Sequence, residues 1–313
     1  MKKFVAILLT MMLVLGVSAA FAAGEPRFTK KLDITNDGTT APNATFTFKY
    51  SFAGADDGNG NTLINVNGPA LADSTVTLGG NTLEGTVTIH DATYPMVGIY
   101  HYNVTEENTN KIAGITNFNG KMQLKVTYYL DEDNTYKKAY AFYANGEDSK
   151  VKTDAVVNTY SAGTLNVSKT VTGNLGDKDK YFQFKVTLTG VADMTYLDSY
   201  GVDGGSNTSN PSTIKIGEET IFWLKDGETI HIDNLPYGVT YTVTETAADG
   251  YTANMKEAKG EISAASQSAD FVNTKTGTID TGVTTESLPY VVLMGFVVLA
   301  GAALLLKRKA HNN

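Results

Sequence analysis

Lysine, glutamate and asparagine form a reactive set when they are withdrawn from water together. Desolvation disfavours the ammonium and the carboxylate alike, by up to about 3–5 pKa units at full burial. The amine then becomes a nucleophile, and a neutral Glu can donate a hydrogen bond to the Asn carbonyl and shuttle protons. Attack on the Asn side-chain carbon expels ammonia and leaves a Lys–Asn isopeptide bond. The sequence offers this set twice, in matching contexts. Lys30 follows Phe28-Thr29, Glu106 closes Tyr102-Asn103-Val104-Thr105-Glu106, and Asn158 lies in Val157-Asn158-Thr159. Lys169 follows Val167-Ser168, Glu245 closes Tyr241-Thr242-Val243-Thr244-Glu245, and Asn273 lies in Val272-Asn273-Thr274. Lys to Glu is 76 residues in both sets (30 to 106, 169 to 245). One such triplet would be unremarkable, because every β domain contains these residue types. Two triplets with equal spacing in equal contexts single them out.

The elements that must position them read as strands. Alternating runs rich in Val, Thr and aromatics recur at Thr45–Tyr50, Gly85–His90, Lys121–Leu130, Thr164–Val171, Tyr181–Leu188, Thr220–Leu224, Thr229–Ile232 and Val239–Thr244, each bounded by turn residues. Asn59-Gly60, Asn119-Gly120 and Asn145-Gly146 are hairpin-type turn signals. No stretch between residues 24 and 280 sustains a helical period, so the fold class is all-β, as sandwiches or barrels. The internal repeat divides the chain into homologous β domains, 24–160 and 163–277. Glu to Asn is 52 residues in the first half and 28 in the second (106 to 158, 245 to 273). The surplus fits an added hairpin around Leu130–Asn134.

The ends carry targeting signals. Lys2 and Lys3, an apolar run from Phe4 to Val17 and Ala20-Phe21-Ala22 read as a secretory signal peptide, residues 1–22. Residues 278–313 read as a second signal: an uncharged stretch from Leu288 to Leu306, long enough to span a bilayer, then Lys307-Arg308-Lys309, which keeps the tail cytoplasmic and the body outside.

Composition excludes several chemistries. The chain has 313 residues and no Cys, so disulfides, thiolate metal sites and thiol catalysis are absent. Net charge is −8, against nucleic-acid partners. No cofactor and no metal site is expected. Asp57–Asn61 imitates the start of a calcium loop but lacks Gly at its sixth position (Thr62) and Glu at its twelfth (Gly68). The acidic stretch Leu130–Asn134 reads as a solvated hairpin. His90, His101 and His231 show no ligand spacing, and Asn43, Asn103, Asn166 and Asn207 are formal glycosylation sequons without a predicted role. No phosphate loop or nucleophile elbow is present, so enzyme activity beyond the intramolecular reaction is not expected.

With Lys30 and Lys169 on first strands, the Tyr-x-Val-Thr-Glu boxes and the closing Val-Asn pairs, the chain resembles the two-domain backbone (major) pilins of sortase-assembled Gram-positive pili, of the FctA or T-antigen type. The resemblance implies tandem immunoglobulin-like (CnaB-type) β-sandwiches, each with an isopeptide bond: Lys30–Asn158 promoted by Glu106, and Lys169–Asn273 promoted by Glu245. It implies a sorting pentapeptide, here Thr278-Ile279-Asp280-Thr281-Gly282, which keeps only Thr281-Gly282 of the usual Leu-Pro-x-Thr-Gly. Cleavage there would leave 20 basic and 32 acidic residues in 23–281, an acidic mature chain. It implies an acceptor lysine shortly before Asn158: Lys150 in its Ser-Lys-Val context, with Lys152 as the alternative. The partners implied are other copies of the chain through sortase-made isopeptide links, a class-specific sortase, minor pilins and peptidoglycan. The location implied is the cell surface, reached by Sec export and a transient membrane anchor. The alternative reading is a non-polymerised wall-anchored adhesin or a minor pilin that binds a host or matrix ligand.

Overall fold

The computed structural model describes residues 26–144 and 155–278, with Val292–Met294 and Val297 as isolated helical positions. The proposed signal peptide, Lys150, Lys152, Asn145-Gly146, Thr281, Gly282 and most of the apolar C-terminal stretch lie outside the described residues. Among the described residues, no helix is long and apolar enough to cross a membrane.

The chain is nearly all β. Its first half contains β1 (Arg27–Ile34), β2 (Ala44–Asp56), β3 (Ser74–Leu78), β4 (Glu84–Thr88), β5 (Gly98–Asn108), β6 (Ile115–Thr116), β7 (Met122–Leu130), β8 (Tyr136–Ala144) and β9 (Ala155–Tyr160). They form two sheets, ordered β4-β1-β9-β6 and β3-β2-β5-β7-β8. The second half contains β10 (Ala162–Thr172), β11 (Phe182–Thr189), β12 (Tyr200–Gly204), β13 (Thr213–Ile214), β14 (Glu219–Leu224), β15 (Glu228–Pro236), β16 (Thr240–Glu245), β17 (Thr252–Ala253), β18 (Glu257–Glu261) and β19 (Ser266–Thr274). Their sheets are β13-β12-β15-β10-β19-β17 and β14-β11-β16-β18.

Alternation explains the packing. In β1, Phe28, Lys30 and Leu32 share the buried phase, and in β2, Ala44, Phe46 and Phe48 do. Each half has its own apolar cluster, fed from both of its sheets. Phe28 meets Phe48 edge-on at 4.9 Å, and Phe184 meets Phe271 at 5.1 Å in the second half. The added hairpin of the first half is β7–β8, whose turn closes through Asp131 with Asn134 at φ 57°. Asn119-Gly120 is not a hairpin. It links β6 to β7, which lie in different sheets, and Gly120 tucks under the Phe118 ring, where a Cβ would come within 2.4 Å of the ring.

Among the described strands two pairs are parallel: β1 with β9, and β10 with β19, the first and last strand of each half. Parallel pairing means the chain enters each half at one end and leaves at the other. Only Ser161 separates β9 from β10. The halves also touch directly. Thr40 N–H donates to Asn234 Oδ1 at 3.0 Å and Asn234 Nδ2 donates to Thr40 O at 2.9 Å. Ala113 N–H donates to Thr195 O at 3.0 Å, and Thr195 N–H to Lys111 O at 2.8 Å.

Candidate functional site

Both triplets assemble, each on the parallel first–last strand pair and the facing sheet. Lys30 lies opposite Val156 in the register, and Asn158 lies two residues further along β9. Lys169 lies opposite Phe271, and Asn273 two residues further along β19. That offset puts both side chains on the inward face, side by side. Glu106 comes from β5 and Glu245 from the end of β16, in the strand phase that points each at the interior. Lys30, Asn158, Lys169, Glu245 and Asn273 are all buried, and the Glu106 side chain is 1% exposed.

In the first cluster Lys30 Nζ donates to Glu106 Oε2 at 3.3 Å and to the Val156 carbonyl at 3.4 Å. Asn158 Nδ2 donates to the other oxygen, Glu106 Oε1, and to Asn117 Oδ1 at 3.3 Å. The Phe118 backbone N–H donates to Asn158 Oδ1 at 2.8 Å. In the second cluster one oxygen takes both bonds: Lys169 Nζ to Glu245 Oε1 at 2.8 Å, and Asn273 Nδ2 to the same atom at 2.6 Å. Among the described residues, Glu245 Oε2 and Asn273 Oδ1 have no hydrogen-bond partner.

Burial dominates the electrostatics. Desolvation lowers Lys30 from its ordinary 10.5 to about 8, against the opposing pull of Glu106. It lowers Lys169 as well, against its hydrogen bond to Glu245. The surroundings are aromatic: Lys30 Nζ lies 4.9 Å from the Phe46 ring centre and Lys169 Nζ 4.3 Å from that of Phe182. Lys31, one residue away, points outward and pairs with Glu84 at 3.0 Å. Two clefts reach the clusters from outside. One of about 550 Å3 has Glu106 and Asn117 in its wall, and one of about 170 Å3 has Glu245 and Asn273.

The arrangement provides a complete proton path for amide exchange. Each carboxyl accepts from the amine that would attack and from the amide nitrogen that would leave. A proton taken from Nζ is therefore within one carboxyl of Nδ2. The expected bond from Glu to the Asn carbonyl is not the one formed, because the carboxyl faces the amide nitrogen instead. In the first cluster a backbone donor, with no signature in the sequence, occupies the carbonyl. No grouping of His, Asp or Glu suited to a metal is present among the described residues. Asp57 of the calcium-like stretch is instead satisfied locally: it accepts from Asn59 N–H and Asn61 N–H, at 2.8 and 3.1 Å, and these bonds with the Asn61 amide hold its carboxyl down at about 2.

Comparison with known proteins adds to this geometry. Residues 26–161 match the family described as the Spy0128-like isopeptide containing domain (FctA), and residues 163–275 match a domain of unknown function, DUF7601. The chain is 32% identical over 311 residues to a pilin of Streptococcus pyogenes serotype M1, which covers 90% of this chain and 89% of that one. Over 129 residues, 39% of this chain and 18% of the relative, it is 36% identical to the pilus tip adhesin Cpa of Streptococcus pyogenes. The crystal structure of the major pilin from Streptococcus pyogenes superposes with a TM-score of 0.55 at 25% identity, covering 82% of this chain and all of that one. The T3.2 major pilin of the same species, 21% identical, shares the fold with a TM-score of 0.53 over 80% of this chain and 98% of its own.

Proposed function

The chain belongs to the pilin family and is a pilus shaft subunit; from that premise we propose that its two clusters close into autocatalytic isopeptide bonds. Lys30 joins Asn158 with Glu106 as proton carrier, and Lys169 joins Asn273 with Glu245. The observation that carries this reading is the doubly bonded carboxyl, found in both halves between an amine and an amide at the same register offset. Residues 24–160 and 163–277 are then two domains, each with one staple. The chemistry is intramolecular and happens once per site, so the mature chain is a structural subunit and not an enzyme.

A staple between first and last strands suits a shaft. Because those strands are parallel, tension applied to the two ends of a domain shears them along their shared edge. A covalent link across that edge carries the tension without passing it to the rest of the sandwich. Polymerisation joins subunits at the cell surface: a dedicated sortase cleaves between Thr281 and Gly282 and transfers the new carboxyl end to Lys150, with Lys152 as the alternative. Export by the signal peptide, transient anchoring by 288–306 and final attachment to peptidoglycan complete the route, with minor pilins, a tip adhesin among them, as further partners.

Intact mass tests the staples. Residues 23–281, expressed alone, should weigh less than the sequence mass by two ammonia molecules. The unmodified mass would refute the reaction. Polymerisation is tested on cell-wall extracts, where the subunit should run as a high-mass ladder that Lys150→Arg abolishes. A ladder lost only with Lys152→Arg would move the acceptor.

A further inference from the structure

The two clusters differ at one atom, the carbonyl oxygen of the asparagine. In the first, Asn158 Oδ1 accepts from the Phe118 backbone N–H at 2.8 Å. In the second, Asn273 Oδ1 is buried with no donor among the described residues. The cause lies in the strand on the far side of the last strand. β6 pairs with β9 through Ile115–Tyr160 and Thr116–Thr159, and the ladder stops there. The chain then turns, and the Phe118 N–H meets the Asn158 side chain instead of the β9 backbone. In the second half, β17 runs past the same point: Ala253 pairs directly with Asn273, and Asn254 N–H goes to Val272 O at 2.9 Å. Among the described residues no donor reaches the Asn273 side-chain oxygen.

We propose that the Phe118 backbone N–H activates the first site, polarising the Asn158 side-chain carbonyl and holding the oxyanion that forms on it, and that the second site has no such donor. This rests on the cross-link reading above. The step balances. The neutral Lys30 amine attacks Asn158 Cγ, the carbonyl electron pair moves to Oδ1, and Phe118 N–H bonds the resulting oxyanion. Glu106 passes one proton from Nζ to Nδ2. The Cγ–Nδ2 bond breaks, ammonia leaves, and the carbonyl reforms as a secondary amide that keeps one hydrogen on Nζ. A fixed N–H needs no rearrangement as charge develops on the oxygen, which is why such donors are effective.

The same N–H fixes the amide's orientation. A half-turn of the Asn158 side chain would set its NH2 group against Phe118 N–H, donor to donor, and turn its oxygen toward Glu106. The leaving nitrogen is therefore kept on the proton carrier. The Asn273 amide has no such constraint, and a half-turn there presents Oδ1 to a proton on Glu245. The Phe118 position is itself built in: its ring packs on the first core and covers Gly120. The segment leading to it is clamped to the second half by the Lys111 and Ala113 bonds to Thr195.

The test removes the donor and little else. Residues 23–281, which span every described strand, are made by cell-free synthesis with the α-hydroxy analogue of phenylalanine at position 118, which replaces the N–H by an oxygen. Samples are quenched in acid at intervals and the two cross-linked peptides are quantified by mass. Loss of one oxyanion donor should slow the Lys30–Asn158 link by roughly 100-fold, while the Lys169–Asn273 link forms on time. Phe118→Leu, which keeps the N–H but loses part of the ring that seats it, should slow the Lys30–Asn158 link far less than the ester does. Equal rates in the ester and unsubstituted chains would overturn the proposal. So would a Phe118→Leu chain that lags as much as the ester, since the ring and not the N–H would then be responsible. Absence of the Lys30–Asn158 peptide from the unsubstituted chain is a different result, and would refute the cross-link reading itself.

Discussion

Pulling a single chain by its ends separates the two staples by length. With both bonds in place, tension passes from Lys30 to Asn158 and from Lys169 to Asn273, and the residues between are bypassed. Asn273→Ala removes the electrophile of the second domain only. Lys169 and position 273 lie 104 residues apart. At about 3.3–3.6 Å per extended residue this segment releases roughly 340–370 Å, less the ~8 Å that separates the two positions on the paired strands of the folded domain. Asn158→Ala frees the 128 residues between positions 30 and 158, or roughly 420–460 Å before the same correction. Force spectroscopy of residues 23–281 held at both ends should show neither step for the unsubstituted chain, the shorter step for Asn273→Ala, the longer for Asn158→Ala, and both for the double variant. Seeing the shorter step in the unsubstituted chain would mean that the second domain carries no staple. Finding no step in Asn273→Ala would mean that Lys169 is joined elsewhere or that the tension path is wrong.

Glu245→Ala should abolish one of the two ammonia losses, and timed proteolysis should then cut the second domain well before the first. By chain entropy each staple closes a loop of about 100 residues or more and contributes roughly 5 kcal/mol, so a calorimetric melt of the Asn273→Ala chain should show the second domain unfolding about 20 °C lower; a fall of only a few degrees would refute that account. In the unstapled Asn158→Ala chain, Lys30 has a folded value of about 8 against 10.5 unfolded, so the folded chain binds fewer protons between those values. Stability should therefore rise from pH 8 toward 10, by up to roughly 3 kcal/mol in all, and the rise should vanish when Lys30→Met is added; urea titrations at each pH decide it. Gly114→Ala places a Cβ 2.7 Å from the Ser161 carbonyl at φ +79°, and should cost about 1–3 kcal/mol by denaturant midpoint.

The six residues of the two clusters are legible in the sequence because a repeat exposes them. Strand phase would have found them independently. Lys30 sits between Phe28 and Leu32, Lys169 between Val167 and Val171, and Asn158 between Val156 and Tyr160, each a polar residue in the buried register of an amphipathic strand. A lone Lys in that phase is costly unless paired. The added hairpin was legible for a similar reason, since a surplus between aligned landmarks has to go somewhere. What was not legible is what backbone does. Phe118 N–H has no residue signature, because any non-proline residue carries one, and its role depends on where the β6–β9 ladder stops. Asn119-Gly120 misled because the same pair that favours a two-residue hairpin also serves a sheet-to-sheet crossing. There the Gly is needed for want of a Cβ beneath the Phe118 ring, not for a positive φ.

For the proposed cross-links, the order of events follows from the cost of the unreacted state. Before any bond forms, each domain must bury an amine and a carboxyl in an apolar core, and a buried ion pair seldom repays its desolvation. The aromatic layers around Phe46 and Phe182 must therefore fold and hold the sandwich unaided, with only the Glu bridge to soften the burden. Once the amide forms, Nζ carries no charge and ammonia is gone, so the penalty for burying the lysine disappears as the chain gains its covalent link. Ammonia released through a cleft into bulk water is lost to dilution, which makes the reverse reaction slow and the staple permanent. The same cleft geometry explains why the reaction awaits folding: in the unfolded chain Lys30 is hydrated and charged, far from Asn158, and nothing lowers its affinity for a proton. By the proposed reaction, a chain without cysteine gains a cross-link set by its own fold and indifferent to the redox state of its surroundings. That property depends on the parallel placement of first and last strands as much as on the three reacting side chains.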